Sequence, residues 1–471
     1  MSKIIGRDRE VEQLEKLLDS DKSELVVIYG RRRVGKTFLI RETYKKHIIF
    51  EVSGIPGGIY KDQLTNFYNE ICSQKKAFAK KEVPKNWLEA FNIFGEYIDS
   101  KGGDEKKVLF LDEFPWMYTH KSKFVQLFGH FWNSYCSKRN DLVVVICGSA
   151  ASFMVNKVMK DPKGLHHRIT LPIRLLPFNL YETELYLKSK KVNLDRYSYL
   201  QLYMAVGGIP HYLEKIQSGD SVPVAIDRLC FDKSGLLVDE FNHIFASLFD
   251  DSDNHIKIVE ALATSQKGIT RDELILKSKI SSGGTLTKTI EELSESGFLS
   301  EYEPYSNSSK ETLYRLTDEY SMFYLKYMKK NKGGSWKTLY SSRSYASWSG
   351  FAFENLCLKH DRQILIGLGI NGIDANSSSW RNDNAQIDLL IDRSDRTINI
   401  CELKFSESEF TISKSYADNI RNKKREFIAE MKDRKNVFVT FVTTFGVKSN
   451  SHSDEVMDNQ VTMDSLFKKS G

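Results

Sequence analysis

The chain has 471 residues, of which 41% are hydrophobic and 28% are charged, and its formal net charge is +6. This length exceeds what one hydrophobic core supports, so several domains are expected. The weak positive charge permits contact with nucleic acid but does not argue for it. The longest apolar run, residues 142–147, is too short to span a bilayer, and the N-terminal stretch MSKIIGRDRE is too charged for a signal peptide. Six scattered cysteines are typical of a reducing compartment, so we expect a cytoplasmic protein without membrane contact.

The first functional motif follows a short apolar strand predicted at residues 25–29. It reads GRRRVGKT, residues 30–37, and has the GxxxxGK[ST] pattern of a phosphate-binding loop between a strand and a helix. Gly30 and Gly35 allow the backbone to turn its N–H groups toward phosphate. We expect Lys36 to reach the β- and γ-phosphates and Thr37 to supply a hydroxyl to Mg²⁺. The arginines at 31–33 fit a solvated loop as well as phosphate or partner contact.

Two further apolar strands end in polar residues. The stretch KVLFLDEF, residues 107–114, ends in two acids, and we expect Asp112 to hold Mg²⁺ and Glu113 to polarise the attacking water. The stretch DLVVVICGSA, residues 141–150, places Ser149 just beyond a strand, where ligands of parallel α/β sheets bind. Ser149 is explained equally well as a sensor of the γ-phosphate and as a turn or N-cap serine.

A family resemblance covers nearly the whole chain. The stretches that carry it, in order, are IIGRDREVEQLEKLL, GRRRVGKT, VLFLDEFPWM, VVICGSAASFM, IRLLPFNLYE, GGIPHYLE and GFAFENLCLKH. Together they resemble the AAA+-related ATPases of the STAND type from archaea and bacteria, which carry an extra C-terminal domain of uncharacterised function. The resemblance implies a P-loop NTPase with a parallel sheet and a helical lid, and ATP and Mg²⁺ as its ligands.

The same resemblance implies further site residues. Gly6 and Arg7 are expected near the adenine, and Pro210 is expected where the lid packs against the nucleotide. Arg33 and Val34 of the loop and Phe38 of the helix that follows are also predicted to join this nucleotide site. Related ATPases carry a Gly–Arg pair before the IRL strand, and their arginine acts on the nucleotide. Arg168 keeps that charge, but a histidine replaces the glycine, and a surface arginine explains it equally well.

The sequence predicts five segments. They are an ATPase core at 1–175, a helical lid at 176–250, a winged helix at 255–330, a linker at 331–350 and a C-terminal domain at 351–471. The predicted third helix of the winged helix carries Lys288 against Glu291, Glu292 and Glu295. Because DNA phosphates would repel these acids, we favour a module that packs between domains over a DNA reader.

The C-terminal stretch INICELKFSES, residues 398–408, places Glu402 and Lys404 on one face of a strand. Upstream, QIDLLIDR offers Asp388 between apolar neighbours. The spacing Asp388-x₁₃-Glu402-x-Lys404 is similar to the PD-(D/E)xK nuclease motif, and Glu354 matches its optional first acid. Ile387 stands where the motif has proline. The resemblance implies a restriction-endonuclease-like α/β fold.

These residue types suit metal-assisted phosphodiester cleavage. Asp388, Glu402 and Glu354 would gather Mg²⁺, and Lys404 would activate or position the attacking water. The alternative is structural, with Glu402 and Lys404 forming a salt bridge and Asp388 capping a turn. The basic residues of the later helix, KSYADNIRNKKREFIAEMKDRK, are interpreted as a solvated face.

The predicted function is an ATP-hydrolysing P-loop ATPase of the STAND/AAA+ type. Its nucleotide state would act on a nuclease-like domain that binds or cleaves DNA or RNA with Mg²⁺. The alternative is a regulatory scaffold without catalysis, whose C-terminal domain only binds nucleic acid or protein. A protein partner or a homo-oligomer is compatible with either hypothesis.

Overall fold

The computed structural model describes residues 4–80, 82–162, 165–249, 251–265, 267–305, 312–331, 334–340 and 342–469. The chain divides into two compact units, which are described separately. The first is Met1–Leu176 with Leu248–Asp250, and the second is Pro177–Ser247 with Asp251–Gly471. Within the described ranges, no helix is long and apolar enough to cross a membrane.

The first unit is built on a parallel sheet. Its strands are β1 (Glu24–Tyr29), β2 (Ile48–Ser53), β3 (Lys107–Asp112), β4 (Leu142–Gly148) and β5 (Leu171–Arg174). The order across the sheet is β2-β3-β4-β1-β5, and every neighbouring pair is parallel. The central strands β1, β3 and β4 are nearly continuous apolar runs because both faces of a parallel sheet are covered.

Helices follow the strands of this sheet. They are α1 (Asp8–Glu15), α2 (Lys36–Thr43), α3 (Tyr60–Gln74), α4 (Trp87–Asp99), α5 (Phe114–Met117), α6 (Phe124–Ser134) and α7 (Ala151–Phe153). Short 3₁₀ segments lie at Lys16–Asp19, Lys76–Lys80 and Cys136–Lys138, and a π-helical turn lies at Met154–Met159. An aromatic core joins α3, α4 and α6. In it the Phe67 and Phe94 rings lie 5.1 Å apart and the Phe91 and Phe131 rings lie 5.2 Å apart.

The second unit begins with helices where the lid is predicted. They are α8 (Leu180–Ser189), α9 (Arg196–Val206), α10 (Pro210–Leu213), α11 (Val222–Cys230) and α12 (Glu240–Leu248). Asn179 and Glu182 form a capping box at the start of α8, and Asp195 caps α9, so the sequence itself defines where these helices begin. Gly208 lies against Phe178, where a Cβ atom would come 1.8 Å from the Phe178 carbonyl oxygen.

Three helices and an antiparallel hairpin follow. They are α13 (Asp253–Ala263), α14 (Arg271–Ser278), α15 (Gly284–Glu295), β6 (Leu299–Tyr302) and β7 (Leu313–Leu316). We call this group the hairpin module. Residues 306–311 between its strands lie outside the described residues. The Glu292 carboxylate lies 2.8 Å from His255 Nε2, so one of the acids of the third helix serves packing inside the module.

The segment predicted as a linker, 331–350, is largely helical where it is described. Two helices overlap this segment, α17 (Trp336–Leu339) and α18 (Arg343–Lys359). Before it lie α16 (Glu319–Phe323) and a π-helical turn at Tyr324–Met328, and after it lies α19 (Asp361–Gly367). The reason is aromatic packing. The buried Trp336 ring lies 4.8 Å from the Phe323 ring and 5.0 Å from the Tyr327 ring. The sequence of this segment has an irregular pattern of Gly, Ser and aromatic residues, so these contacts could not be predicted from it.

The C-terminal part contains a mixed sheet. Its strands are β8 (Ala375–Arg381), β9 (Gln386–Arg393), β10 (Thr397–Lys404), β11 (Asn436–Thr443) and β12 (Asn459–Thr462). Its helices are α20 (Lys414–Glu430), α21 (Ser451–Val456) and α22 (Met463–Leu466). The order is β12-β11-β10-β9-β8, with β8, β9 and β10 antiparallel and β10, β11 and β12 parallel. The helix α20 is the crossover that the parallel pair β10–β11 requires.

Candidate nucleotide and metal sites

Sheet order brings the three polar strand ends of the first unit together. Because β4 lies between β1 and β3, Ser149 after β4 stands between Lys36 and Glu113. Lys36 Nζ donates to Ser149 Oγ at 3.3 Å, and Ser149 Oγ donates to Glu113 Oε1 at 2.6 Å. The Ser149 backbone N–H also donates to Glu113 Oε2 at 3.2 Å. The predicted phosphate-binding lysine, the predicted sensor and the predicted water-activating acid therefore form one hydrogen-bonded chain.

The loop after β1 has the shape that its glycines predict. Gly30 has φ 144°, and a Cβ atom there would lie 2.3 Å from the Leu175 carbonyl oxygen, so only glycine fits. Gly35, at φ 93°, begins α2. The Lys36 ammonium is buried inside the loop and donates to the carbonyl oxygens of Gly30 at 2.8 Å and Arg31 at 3.0 Å.

Two oxygen atoms beside the loop suit a magnesium ion. Thr37 Oγ1 donates to Asp112 Oδ2 at 2.8 Å, and Asp112 Oδ1 accepts the Glu113 N–H at 3.0 Å. Adjacent ligands of octahedral Mg²⁺, each about 2.0–2.1 Å from the ion, lie roughly 2.9 Å apart. The separation of Thr37 Oγ1 and Asp112 Oδ2 thus fits two neighbouring positions of one Mg²⁺ shell.

Glu113 has a strained backbone, with φ 44°. Its carbonyl oxygen would lie 2.6 Å from a Cβ atom at Gly54, just after β2. Gly54 is therefore a site-shaping residue that the sequence reasoning missed. The glycine-rich stretch GIPGG, which begins at Gly54, was the available signal. Beneath the site, burial raises the pKa of the Cys147 thiol, so this cysteine is a buried packing residue.

The other residues that the sequence predicts for the nucleotide site lie on several elements. Arg7 is buried, and its Nη2 donates to the carbonyl oxygens of Leu176 at 2.6 Å and Val34 at 3.4 Å, which ties the N-terminal turn to the loop. Further positions are Gly6 at φ 68°, Arg33 at φ 70° in the loop, the half-exposed Phe38 on α2, and Pro210 at the first position of α10 in the second unit. Arg168 Nε donates to Asn133 Oδ1, near the end of α6, at 2.8 Å.

In the C-terminal sheet, the pairing of β9 with β10 aligns the predicted acids. The antiparallel register ends with the pair Cys401 and Leu389, and its continuation by one residue would place Glu402 opposite Asp388. Residues directly opposite each other in an antiparallel pair point to the same face, and Lys404, two residues further on, shares that face. The two acids and the lysine therefore lie on one face of neighbouring strands.

Each acid has partners from other elements. Glu402 is buried, and it accepts hydrogen bonds from the Tyr416 hydroxyl at 2.7 Å and from Lys423 Nζ at 2.5 Å, both on α20. Asp388 Oδ1 accepts a hydrogen bond from Gln386 Nε2 at 2.9 Å. The interpretation of the basic residues on α20 as a solvated face is wrong for Lys423, which is 19% exposed and paired with Glu402. Its charge pattern gave no sign of this contact.

Lys404 faces an open cleft of about 740 Å³ next to these acids. Its ammonium lies 5.3 Å above the Tyr416 ring, and Asp388 and Lys423 line the same cleft. The cationic partner of Glu402 is thus Lys423. The alternative in which Glu402 pairs directly with Lys404 does not describe this arrangement.

Glu354, on α18, lies in the field of the same groups. Burial, followed by the negative charge of Asp388, raises the pKa of Glu354 to about 7, and the charges of Lys404 and Arg315 oppose this rise. Within the described ranges, however, no set of three or more His, Cys, Asp or Glu side chains is arranged to hold a metal ion. The predicted three-acid metal site is not formed in this arrangement, in which Lys423 and Arg315 contact two of the acids.

A phosphate loop after β1, acidic residues at the end of β3 and a parallel sheet are features typical of P-loop ATPases, and they occur together in the first part of the chain. Residues 4–216 match a family described as an ATPase domain found predominantly in archaea. An uncharacterized protein of Methanocaldococcus jannaschii is 25% identical over 442 residues, which cover 89% of this chain and 92% of that protein.

Two further comparisons concern proteins described as ATP-binding or as ATPases. An uncharacterized ATP-binding protein of the same archaeon is 47% identical over 39 residues, which cover 8% of this chain and 66% of that protein. The solved structure of the Walker-type ATPase PABY2304 of Pyrococcus abyssi is similar with a TM-score of 0.50 and 17% identity. That match covers 68% of this chain and 96% of the other, and it shows a shared fold.

Proposed function

We propose that the protein binds and hydrolyses ATP with Mg²⁺. The observation that carries this proposal is the hydrogen-bonded chain from Lys36 through Ser149 to Glu113, beside the Thr37–Asp112 oxygen pair. Phosphate transfer requires little covalent chemistry from a protein, so positioned charges supply most of the catalysis. This chain places a cation, a hydroxyl and a carboxylate at one sheet edge.

Each residue has a separate role in the proposed reaction. The loop N–H groups and Lys36 bind the phosphates, and Lys36 exchanges its bonds to the Gly30 and Arg31 carbonyl oxygens for phosphate oxygens. Thr37 and Asp112 would hold Mg²⁺, which supplies charge neutralisation at the β- and γ-phosphates. Glu113 accepts a proton from the attacking water, and Ser149 orients Glu113.

A binding and turnover assay with Lys36→Ala tests this proposal. We expect ATP affinity, measured with a fluorescent analogue, to fall by at least about tenfold, because hydrogen bonds to charged groups are lost. Phosphate release should fall with it. The matched control is Lys45→Ala, an exposed lysine just beyond α2, which should behave as the parent does. Equal binding and turnover by Lys36→Ala and the parent would contradict the proposal.

For the C-terminal sheet, we propose a nuclease-like site that uses Mg²⁺ on nucleic acid. The register that faces Asp388 toward Glu402 supports it, as does the ammonium of Lys404 beside an open cleft. Asp388 and Glu402 would hold Mg²⁺, which would supply Lewis acidity at the scissile phosphate. Lys404 would orient and activate the attacking water.

Cleavage assays on single- and double-stranded DNA and RNA test this second part. With ATP present, the expected result is Mg²⁺-dependent cleavage by the parent that disappears in Asp388→Asn, which keeps the size of the side chain but loses its charge. The control Asp383→Asn removes a carboxylate at the rim of the same cleft and should leave cleavage intact. Cleavage that persists in Asp388→Asn would contradict the assignment.

One observation favours a second candidate function, a regulatory scaffold without nuclease activity. Lys423 contacts Glu402, and Arg315 contacts Asp388. These ion pairs neutralise the buried acids, which is a purely structural role. In that case, the C-terminal cleft would bind nucleic acid or protein, and no strand cleavage would appear under any nucleotide condition. We further propose that the hairpin module serves packing rather than DNA reading and relays nucleotide state to the C-terminal part of the chain.

A further inference from the structure

An arginine of the hairpin module contacts one of the C-terminal acids. Arg315 lies on β7 and is 5% exposed. Its Nη2 lies 3.5 Å from Asp388 Oδ1, and its guanidinium lies 5.7 Å from the Tyr302 ring on β6. A strand of one module thus brings a cation to an acid on the sheet of another.

The Arg315 guanidinium has few hydrogen bonds for a buried charged group. The Nη2–Oδ1 separation is at the outer limit of a hydrogen bond, and Arg315 Nη1 has no hydrogen-bond partner in the described part of the chain. Buried charged groups normally have complete sets of partners because desolvation is costly. An incompletely bonded guanidinium at this position can leave with little loss of hydrogen bonding.

Arg315 also fills one side of Asp388. On the side of the hairpin, the space bounded by Tyr302, Arg315 and Asp388 is only about 10 Å³. Asp388 also lines the open cleft of about 740 Å³. The carboxylate is therefore reached from the cleft, while little space remains between it and Arg315 and Tyr302 of the hairpin.

The hairpin module is attached to the elements that carry the acids. The Tyr305 N–H donates to the Ser379 carbonyl oxygen on β8 at 2.9 Å. On the other strand, the Leu316 carbonyl oxygen accepts Asn355 Nδ2 at 2.7 Å, from α18 next to Glu354. A displacement of the hairpin would therefore move Arg315 and also disturb its contacts with β8 and α18. We call Glu354, Asp388 and Glu402 the acid cluster.

We propose that Arg315 is an internal cation that keeps the acid cluster inactive, and that Asp388 becomes available to a divalent metal ion once the hairpin module withdraws the guanidinium. The guanidinium and a metal ion compete for the same carboxylate oxygen, so one excludes the other. The inference rests on the proposed metal-dependent function of this cleft and adds its regulation. The hairpin module is the part of the molecule that moves between the two states.

The test is metal binding by the full chain without nucleotide, measured with Mn²⁺ by electron paramagnetic resonance. Arg315→Gln keeps a side chain able to form hydrogen bonds and removes the charge. We expect it to bind Mn²⁺ more tightly than the parent by about tenfold or more. Arg271→Gln, the same change on α14 of the same module, is the matched control and should bind as the parent does. Arg315→Met is the second variant if Arg315→Gln does not fold by circular dichroism.

The double variant Arg315→Gln/Asp388→Asn locates the effect and should lose the gained affinity. Equal Mn²⁺ affinity in the parent and the Arg315 variants, or a gain that survives in the double variant, would overturn the inference. Cleavage of the nucleic acid panel is measured in parallel. Tighter Mn²⁺ binding without cleavage would refute the nuclease proposal while keeping the internal cation. Equal cleavage by the parent and by Arg315→Gln would refute the inhibitory role of Arg315 and keep the nuclease proposal.

Discussion

Thr37 and Asp112 show how two ordinary side chains bring their oxygen atoms together at the proposed magnesium site. The hydroxyl comes from the first turn of α2 and the carboxylate from the end of β3, and they meet at 2.8 Å. Their spacing in the sequence is 75 residues, so the loop pattern and the acid after a strand are the only local signals. Tertiary structure joins them because β1 and β3 end at the same sheet edge.

Thr37→Val should therefore weaken magnesium-dependent ATP binding. The variant keeps the shape of threonine and loses the hydroxyl, so ATP affinity in Mg²⁺ should fall by about tenfold or more. Affinity in EDTA should change much less. Thr37→Ser keeps the hydroxyl and serves as the control. The measurement is titration with a fluorescent ATP analogue, and an equal Mg²⁺ effect in Thr37→Val and the parent would speak against this role.

His360 is a buried residue whose protonation opposes folding. Its Nε2 accepts the Leu180 N–H at 3.1 Å, and its Nδ1 lies 2.8 Å from the Leu356 carbonyl oxygen. Burial lowers the pKa of His360 to about 4. The folded state therefore holds the neutral ring, whose Nε2 must stay free of a proton to accept the Leu180 N–H.

This lowered pKa predicts a loss of stability in acid. Between the usual histidine pKa of about 6.5 and the folded value, the unfolded chain binds more protons, so acidification favours unfolding. The contribution is fully present above about pH 6.5. Between about pH 7.5 and about pH 5 it should decline by about 2 kcal/mol. His360→Gln offers an acceptor that does not titrate. In urea unfolding of both proteins, an identical pH dependence would contradict this role.

At the scale of elements, the sequence predicted strands better than contacts. Each of the apolar runs before the loop, before Asp112 and before Ser149 is a strand of the parallel sheet, because fully buried strands have an unmistakable composition. The pairing of α17 with surrounding aromatics was missed, since tertiary packing of Trp336 overrides a weak local pattern.

The C-terminal site was predictable only in part, for a similar reason. The two-residue period of a strand was enough to place Glu402 and Lys404 on one face. It could not show that Lys423 would reach Glu402 from α20 or that Arg315 would reach Asp388 from β7. Those contacts depend on how separate elements pack, and charge patterns along one helix or strand do not encode them.

Two glycines should respond oppositely to alanine. At Gly208, a Cβ atom would come 1.8 Å from the Phe178 carbonyl oxygen, so Gly208→Ala must separate the start of α8 from the turn after α9. We expect a loss of about 1–3 kcal/mol or more of stability. Gly350 lies inside α18 with nothing near its Cβ position, and Gly350→Ala should stabilise by about 0.5–1 kcal/mol. Thermal unfolding measures both, and a harmless Gly208→Ala would disprove the close approach.

At the scale of the whole molecule, the proposed function couples ATP hydrolysis by the first unit to a C-terminal acid cluster. The hairpin module connects with that cluster through Arg315, and its third helix uses Glu292 for an internal contact with His255. Both observations support a packing role for the module. The proposed coupling has a requirement, however, which is that the first unit hydrolyses ATP.

Turnover by Glu113→Gln is the measurement that tests this claim most directly. The amide keeps the size of the side chain but cannot accept the proton of the attacking water. The account predicts ATP affinity within about twofold of the parent and phosphate release reduced by about a hundredfold or more, in steady-state assays with Mg²⁺. Undiminished phosphate release by Glu113→Gln, with ATP bound as tightly as before, would contradict it.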